Sequence, residues 1–180
     1  GVLLLLIVNF FRDPPRRLNR GAGQYLSPAD GKIVEITRLE YDEFIGGPAV
    51  RIGMFLTILN VHVNRMPSAS RVLSLKYNPG RFLSATKPES ALVNECMWIG
   101  CEETAPGQRR YAMRQISGGL ARRIVCDVRG GEAFEQGQKF GMIKLGSRAE
   151  VIVPDEAGLE LVVPLGKWVK AGRDVLCRFR

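Results

Sequence analysis

Ala49-Val50-Arg51-Ile52-Gly53-Met54-Phe55-Leu56-Thr57 (AVRIGMFLT, residues 49–57) is a short apolar run that reads as a β-strand. Shorter runs of the same kind lie on both sides. Lys32–Leu39 (KIVEITRL) precedes it, and Arg71–Tyr77 (RVLSLKY) follows, with Val72, Leu73 and Leu75 as its apolar members. Cys96–Cys101, Tyr111–Ile116, Arg122–Val128, Ala149–Val153, Leu159–Val163 and Asp174–Phe179 continue the series, with Gly and Pro between them. Many short strands separated by turn residues predict a mainly β protein, a β-rich α+β chain whose sheets form a sandwich or barrel. A helical stretch is expected at Pro88–Met97, with Pro88 at an early helical position. Residues 19–31 (NRGAGQYLSPADG) read as loop. There is no fixed-period repeat, no GxGxxG fingerprint and no P-loop.

The 180 residues suit a single domain with a short lead segment. Apolar residues make up 46% and charged residues 24%, which excludes a disordered chain and a multi-pass membrane protein. A chain of this size buries roughly 70% of its unfolded surface and needs no disulfide framework or structural metal. Lys and Arg number 26 against 18 Asp and Glu, a net charge of +8 that points to a polyanion or an anionic membrane. Cys96, Cys101, Cys126 and Cys177 show no CxxC spacing and read as reduced, packed thiols in a cytoplasmic setting. His62 is the single histidine, so no zinc site is expected.

The chain opens GVLLLLIVNFFRDPPRR. Val2–Val8 is apolar but too short to span a bilayer, which takes about 20 helical residues. It has no signal-peptide n-region or cleavage pattern. It reads as a short apolar helix, the tail of a longer hydrophobic segment. Asp13-Pro14-Pro15 ends it. Arg12, Arg16, Arg17 and Arg20 beside it mark the cytoplasmic side of a membrane anchor. The alternative is a short core helix with a solvated basic tail. Residues 1–18 are therefore set apart as membrane-proximal, and residues 19–180 as the single domain.

Three segments carry candidate chemistry. In Ser27-Pro28-Ala29-Asp30-Gly31, Asp before Gly is by itself a turn signal. In Asn60-Val61-His62-Val63-Asn64-Arg65-Met66-Pro67, the polar side chains at 60, 62 and 64 share one face if the backbone is extended. In Lys144-Leu145-Gly146-Ser147-Arg148, a serine follows a glycine. Glycine permits the strained backbone that attack of a serine hydroxyl on the preceding carbonyl requires.

Taken in order, these segments resemble the short-type phosphatidylserine decarboxylase family. Phe10-Phe11-Arg12-Asp13-Pro14, Tyr77-Asn78-Pro79-Gly80, Gln115-Ile116-Ser117-Gly118, Ala121-Arg122-Arg123-Ile124 and Phe140-Gly141-Met142-Ile143 extend the resemblance over nearly the whole chain. It implies an inactive proenzyme cut between Gly146 and Ser147 into fragments 1–146 and 147–180. Ser147 would become a covalent pyruvoyl group that forms a Schiff base with the substrate amine, serving as electron sink in place of pyridoxal phosphate. It puts the family's catalytic aspartate at Asp30 and its histidine at His62, with Ser147 as the third catalytic residue. Asp30 would assist self-cleavage, as in a carboxylate–imidazole–serine arrangement. His62, with an ordinary pKa near 6.5, would transfer protons during decarboxylation. Arg65 stands where long-type relatives carry a second histidine, and cannot be a base, so either His62 serves both stages or self-cleavage relies on Asp30 and backbone strain. Ser70 and Cys96 stand where Gly and Arg are expected.

Lys144 and Arg148 flank the cleavage position and are candidates for the substrate's phosphate and carboxylate. The implied substrate is phosphatidylserine in an anionic membrane, met at the cytoplasmic face. No metal or nucleic acid is implied, and a homo-oligomer is compatible with the reading. Residues 159–178 also resemble the biotinyl and lipoyl carrier fold, without a modifiable-lysine context; this reads as shared barrel-sandwich architecture. A carrier-like or non-catalytic membrane-docking β domain is the alternative, as is the same reaction on an archaeal-type ether phospholipid.

Overall fold

A computed structural model describes residues 1–85, 89–104, 107–119, 123–144 and 146–180, apart from the side chains of residues 2, 3, 5 and 6. The chain runs α1 (Val2–Phe10), β1 (Gln24–Leu26), β2 (Gly31–Asp42), β3 (Gly47–Leu56), β4 (Val63–Arg65), β5 (Ser70–Asn78) and α2 (Ser90–Val93). It continues with β6 (Cys96–Glu103), β7 (Arg110–Ile116), β8 (Ile124–Cys126), β9 (Ala133–Phe134) and β10 (Lys139–Ile143). The last strands are β11 (Ser147–Pro154), β12 (Leu159–Leu161), β13 (Trp168–Val169) and β14 (Val175–Phe179). The described fold is mainly β.

The strands form one eight-stranded sheet, ordered β13-β2-β3-β11-β7-β6-β5-β9, and two three-stranded sheets, β4-β10-β8 and β1-β14-β12. All named strand pairs are antiparallel. The β2–β3 hairpin closes because Asp42 Oδ1 accepts the Phe44 and Ile45 amides at 3.0 Å each, while Gly46 takes φ +82°. The run 49–57 becomes β3, at the centre of the large sheet. Its Ile52, Met54 and Leu56 join Met113, Val151 and Val153 in one core, closed by Tyr25, Phe140, Ile143 and Leu176 from outside that sheet. Every residue of β11 is buried, so this strand is covered on both faces.

The opposite face of the sheet has its own small cluster. Ala49, Ala112 and Ile152 pack there against Leu39, Phe44, Ile45 and Trp98.

The expected helix at Pro88–Met97 is shorter. Pro88 lies outside the described residues, and the helix covers Ser90–Val93. Asn94 turns extended, ψ 155°, because its side chain is committed elsewhere: Oδ1 accepts the Leu83 amide and Nδ2 donates to the Leu83 and Ser117 carbonyls. Cys96 and Met97 then pair in β6 with both β5 and β7. The segment read as loop, 19–31, contains β1, which pairs with β14 at the far end of the chain. Within the stretch read as a strand at Arg122–Val128, β8 covers Ile124–Cys126; Arg122 is outside the described residues, as are Ala121 and Leu145.

Candidate active site

The sequence motifs converge on one end of the eight-stranded sheet. Ser147 opens β11 and pairs with Leu56, the last residue of β3. Gly31 opens β2 and lies so close to that end of β3 that a side chain on it would meet the Phe55 carbonyl oxygen at 2.5 Å. Asp30 immediately precedes it. The segment carrying Asn60 and His62 leaves the same end of β3 and runs into β4. Arg148 lies opposite Ile116 of β7, so one step further along the two chains Ser147 comes beside Ser117.

Ser147 is fully buried, and among the described residues its hydroxyl has no hydrogen-bond partner. Gly146 before it has φ +64°, the left-handed region that a glycine adopts without a Cβ penalty. His62 is also fully buried. Its Nδ1 lies 2.9 Å from the Asn60 carbonyl oxygen and its Nε2 has no partner. A carbonyl can only accept, so Nδ1 carries the proton and Nε2 the free lone pair. The Phe10 ring packs on the imidazole with centroids 4.3 Å apart. Burial pushes the His62 pKa down to about 4; the Asn60 carbonyl pulls against it, the Arg12 charge adds to the lowering, and the Asp30 charge opposes it. The expectation of a value near 6.5 is thereby corrected. At neutral pH the buried imidazole is neutral.

Asp30 is buried, but its carboxylate is not bonded to the imidazole. Oδ1 accepts the Ala171 amide at 2.8 Å and Oδ2 takes the Arg16 guanidinium at 2.8 Å. The expected carboxylate–imidazole–serine chain is therefore not joined by a hydrogen bond between its first two members. Asp30 reaches His62 through its charge.

Arg148 has a different place from the one expected. Successive residues of a strand face opposite sides, so it leaves the sheet on the face away from Ser147. There it bonds Glu35 and, at 2.7 Å, Glu150. Glu150, fully buried, also takes Arg114 at 2.8 Å, and Glu35 takes Arg51 at 2.7 Å. Gly53 makes room for this row, since a Cβ there would meet the Arg148 guanidinium at 2.5 Å. Burial alone would raise the Glu35 carboxyl, but bonds from Arg51 and Thr37 and the charge of Arg148 hold it below its ordinary value. The guanidinium of Arg148 is thus committed to fixing β11. Lys144 stays half-buried, its ammonium 5.6 Å from the Phe11 ring centroid.

Several further residues belong to the site. Gln115 Nε2 donates to Asn64 Oδ1 at 2.9 Å and leaves its own Oε1 without a partner. Asn64 Nδ2 lies 3.4 Å from the Pro28 carbonyl oxygen, linking the 60–67 segment to the Asp30 loop. Ser117 is fully buried with a free hydroxyl, while its backbone is tied to Glu95 and Asn94. Buried polar atoms are normally satisfied. Among the described residues, His62, Gln115, Ser117 and Ser147 each keep a buried polar atom without a partner, as do Gln24 and Tyr25. The quoted motifs contained Gln115, Ser117 and Asn64, but no local pattern distinguished them. Of the two departures from the family pattern, Ser70 is satisfied by the Tyr111 hydroxyl at 2.7 Å, and Cys96 packs with Ala91 and Ile116. Among the described residues no cluster of His, Cys, Asp and Glu could hold a metal ion.

A family profile described as phosphatidylserine decarboxylase matches residues 3–177. A protein of Rhodopirellula baltica named phosphatidylserine decarboxylase proenzyme is 45% identical, over 97% of this chain and 72% of its own length. Proteins of the same name from Nitrosomonas eutropha and Prosthecochloris aestuarii are 40% and 41% identical, over 99% and 98% of this chain and 81% and 79% of theirs. The chain belongs to the phosphatidylserine decarboxylase family.

Proposed function

We propose that this chain is a proenzyme that cuts itself between Gly146 and Ser147 and then decarboxylates phosphatidylserine to phosphatidylethanolamine. The observation that carries the reading is a fully buried Ser147 with a free hydroxyl, preceded by a glycine at φ +64°, in a chain matched by this family over nearly its whole length.

The Ser147 hydroxyl adds to the Gly146 carbonyl carbon. The Gly146–Ser147 amide breaks and an ester takes its place. Neutral His62 accepts the hydroxyl proton and passes it to the departing amine. Asp30, fixed by Arg16 and Ala171, favours the transient imidazolium through its charge. Removal of the Ser147 Cα proton then expels the Gly146 carboxylate and leaves dehydroalanine. Its hydrolysis releases ammonia and leaves a pyruvoyl group at the start of fragment 147–180. That group supplies an electron sink for the carbanion left when carbon dioxide departs. The Phe10 ring packed on the imidazole shields His62 from bulk solvent.

Cleavage need not separate the fragments. β11 of the small fragment lies between β3 and β7 of the large one, and β14 pairs with β1. We read residues 19–180 as the catalytic domain and residues 1–18 as its membrane-proximal edge, working at the cytoplasmic face. Among the described residues no helix is long and apolar enough to cross a membrane. The short strands β12, β13 and β14, with turns at Gly158, Gly166 and Gly172 in positive φ, support a barrel-sandwich relation to the biotinyl and lipoyl carriers.

The test is release of carbon dioxide from carboxyl-labelled phosphatidylserine. A carbonyl-reactive hydrazine is expected to abolish it, and Ser147→Ala to remove both activity and hydrazine labelling. Full activity in Ser147→Ala contradicts the proposal.

A further inference from the structure

Beside Asp30 lies a cleft of about 670 Å³, lined by Arg12, Arg16, Arg17, Lys170 and Arg173, with Asn60 and Val61 at its wall. Five cations face one carboxylate, and that carboxylate is already paired with Arg16. Arg17, Lys170 and Arg173 are exposed, and among the described residues none of their side chains has an ion-pair partner. Fixed like charges around a cleft repel each other and lower the cost of admitting an anion. Asn60 and Val61 lead directly into His62, so the cleft adjoins the site.

An apolar surface is continuous with it. Arg12 donates to the Asn9 carbonyl at 2.6 Å and to the Leu59 carbonyl at 2.7 Å, joining α1 to the 57–60 turn at the lip of the cleft. Leu4, Ile7, Val8 and Phe11 on one side and Ile58 and Leu59 on the other are exposed. A cationic cleft bordered by exposed apolar side chains matches a molecule with a phosphodiester at one end and hydrocarbon at the other.

We propose that this cleft binds the phosphodiester of an anionic glycerophospholipid, with α1 and the 57–60 turn lying against the acyl region. The proposal rests on the decarboxylase reading for the identity of its lipid, but its test does not. The triple variant Arg17→Gln/Lys170→Gln/Arg173→Gln removes exposed, unpaired charges. Flotation with phosphatidylglycerol/phosphatidylcholine vesicles needs no turnover. Binding is expected to fall about a hundredfold, at roughly fivefold per basic residue at an anionic surface. Kinetics on dispersed short-chain phosphatidylserine separate the two sources of phosphate. A KM raised about tenfold places the substrate's own phosphodiester in the cleft, and an unchanged KM with lost vesicle binding places neighbouring lipids there. Unchanged vesicle binding together with unchanged KM overturns the proposal. A wild-type protein that binds vesicles but releases no carbon dioxide sinks the decarboxylase reading and leaves this one standing.

A second inference rests on a separate observation. A Cβ on Gly118 would lie 1.7 Å from the Gly146 carbonyl oxygen and 3.3 Å from the Ala85 methyl. No side chain fits there. We infer that Gly118 is a positioning residue, whose bare Cα forms the slot that seats the carbonyl under attack. Gly118→Ala is expected to slow self-cleavage at least tenfold, since a displacement of about 1 Å costs up to a hundredfold in a positioned reaction. Gly100→Ala is the control, because its Cβ would meet the Trp98 ring at 2.5 Å and the Phe44 ring at 2.7 Å, in the cluster on the opposite face of the large sheet. Both variants lower the melting temperature; slowed cleavage beyond the loss of stability is expected in Gly118→Ala alone. If Gly118→Ala does not fold, Ala85→Val presses on the slot without entering it, and is expected to slow cleavage severalfold. Wild-type cleavage rates in whichever of these folds, or equal slowing in Gly100→Ala, overturn the inference.

Discussion

Arg148→Met separates the role argued for Arg148 from substrate binding. Arg148 is 4% exposed and bridges Glu35 and Glu150 across the face of the sheet opposite Ser147. Methionine keeps much of the packing and removes the charge. Two charge-assisted hydrogen bonds are lost, each worth about 1.5–3 kcal/mol. Glu150 retains Arg114 and Glu35 retains Arg51, so neither carboxylate is left wholly unpaired. Breaking a buried pair outright costs about 3–5 kcal/mol; with these retained partners we expect about 3 kcal/mol. For a chain of this size that lowers Tm by about 6–12 °C. The assay is calorimetric melting in a Ser147→Ala background, which keeps every molecule uncut. The Arg148→Met enzyme with Ser147 restored is then assayed for KM on phosphatidylserine. A Tm shift under about 2 °C with a KM raised tenfold would refute the reasoning and return Arg148 to the substrate.

Other consequences follow from the same geometry. His62 has a folded pKa of about 4, below its ordinary 6.5, so the unfolded chain takes up this proton first. Its contribution is fully present above pH 6.5 and is lost as pH falls towards 4, amounting to about 3 kcal/mol; urea unfolding at several pH values is expected to show this slope in wild type and to lose it in His62→Gln. Phe10→Ala admits water to the imidazole, and NMR titration is expected to move its pKa to above about 5. Gly146→Ala places a side chain at φ +64°, a strain of about 1–2 kcal/mol, and is expected to slow cleavage as followed by denaturing gel.

Strand runs such as 49–57 and 71–77 are legible because a strand covered on both faces concentrates apolar residues and one with an exposed face alternates. β1 is not, since its pairing with β14 joins residues about 150 apart in sequence, and nothing local to residues 24–26 announces it. The helix at Pro88 was overdrawn because helical pattern carries no record of Asn94's commitment to Leu83 and Ser117. At the site, motif order brought Asp30, His62 and Ser147 to attention together. The motifs say nothing of hydrogen-bond partners, so neither Asp30's attachment to Arg16 nor His62's depressed pKa could be read from them. Arg148 was misplaced for a simpler reason. Its adjacency to Ser147 suggested a shared site, whereas strand alternation sends the two side chains to opposite faces.

The central claim is cleavage between Gly146 and Ser147, and denaturing intact-mass spectrometry of the purified protein tests it most directly. The account predicts two species, residues 1–146 and residues 147–180, the smaller carrying a keto group in place of its amine. It also predicts that Ser147→Ala stays a single 20.0 kDa chain. A wild-type chain that remains at 20.0 kDa, folded and uncut after days in the presence of lipid, would contradict it.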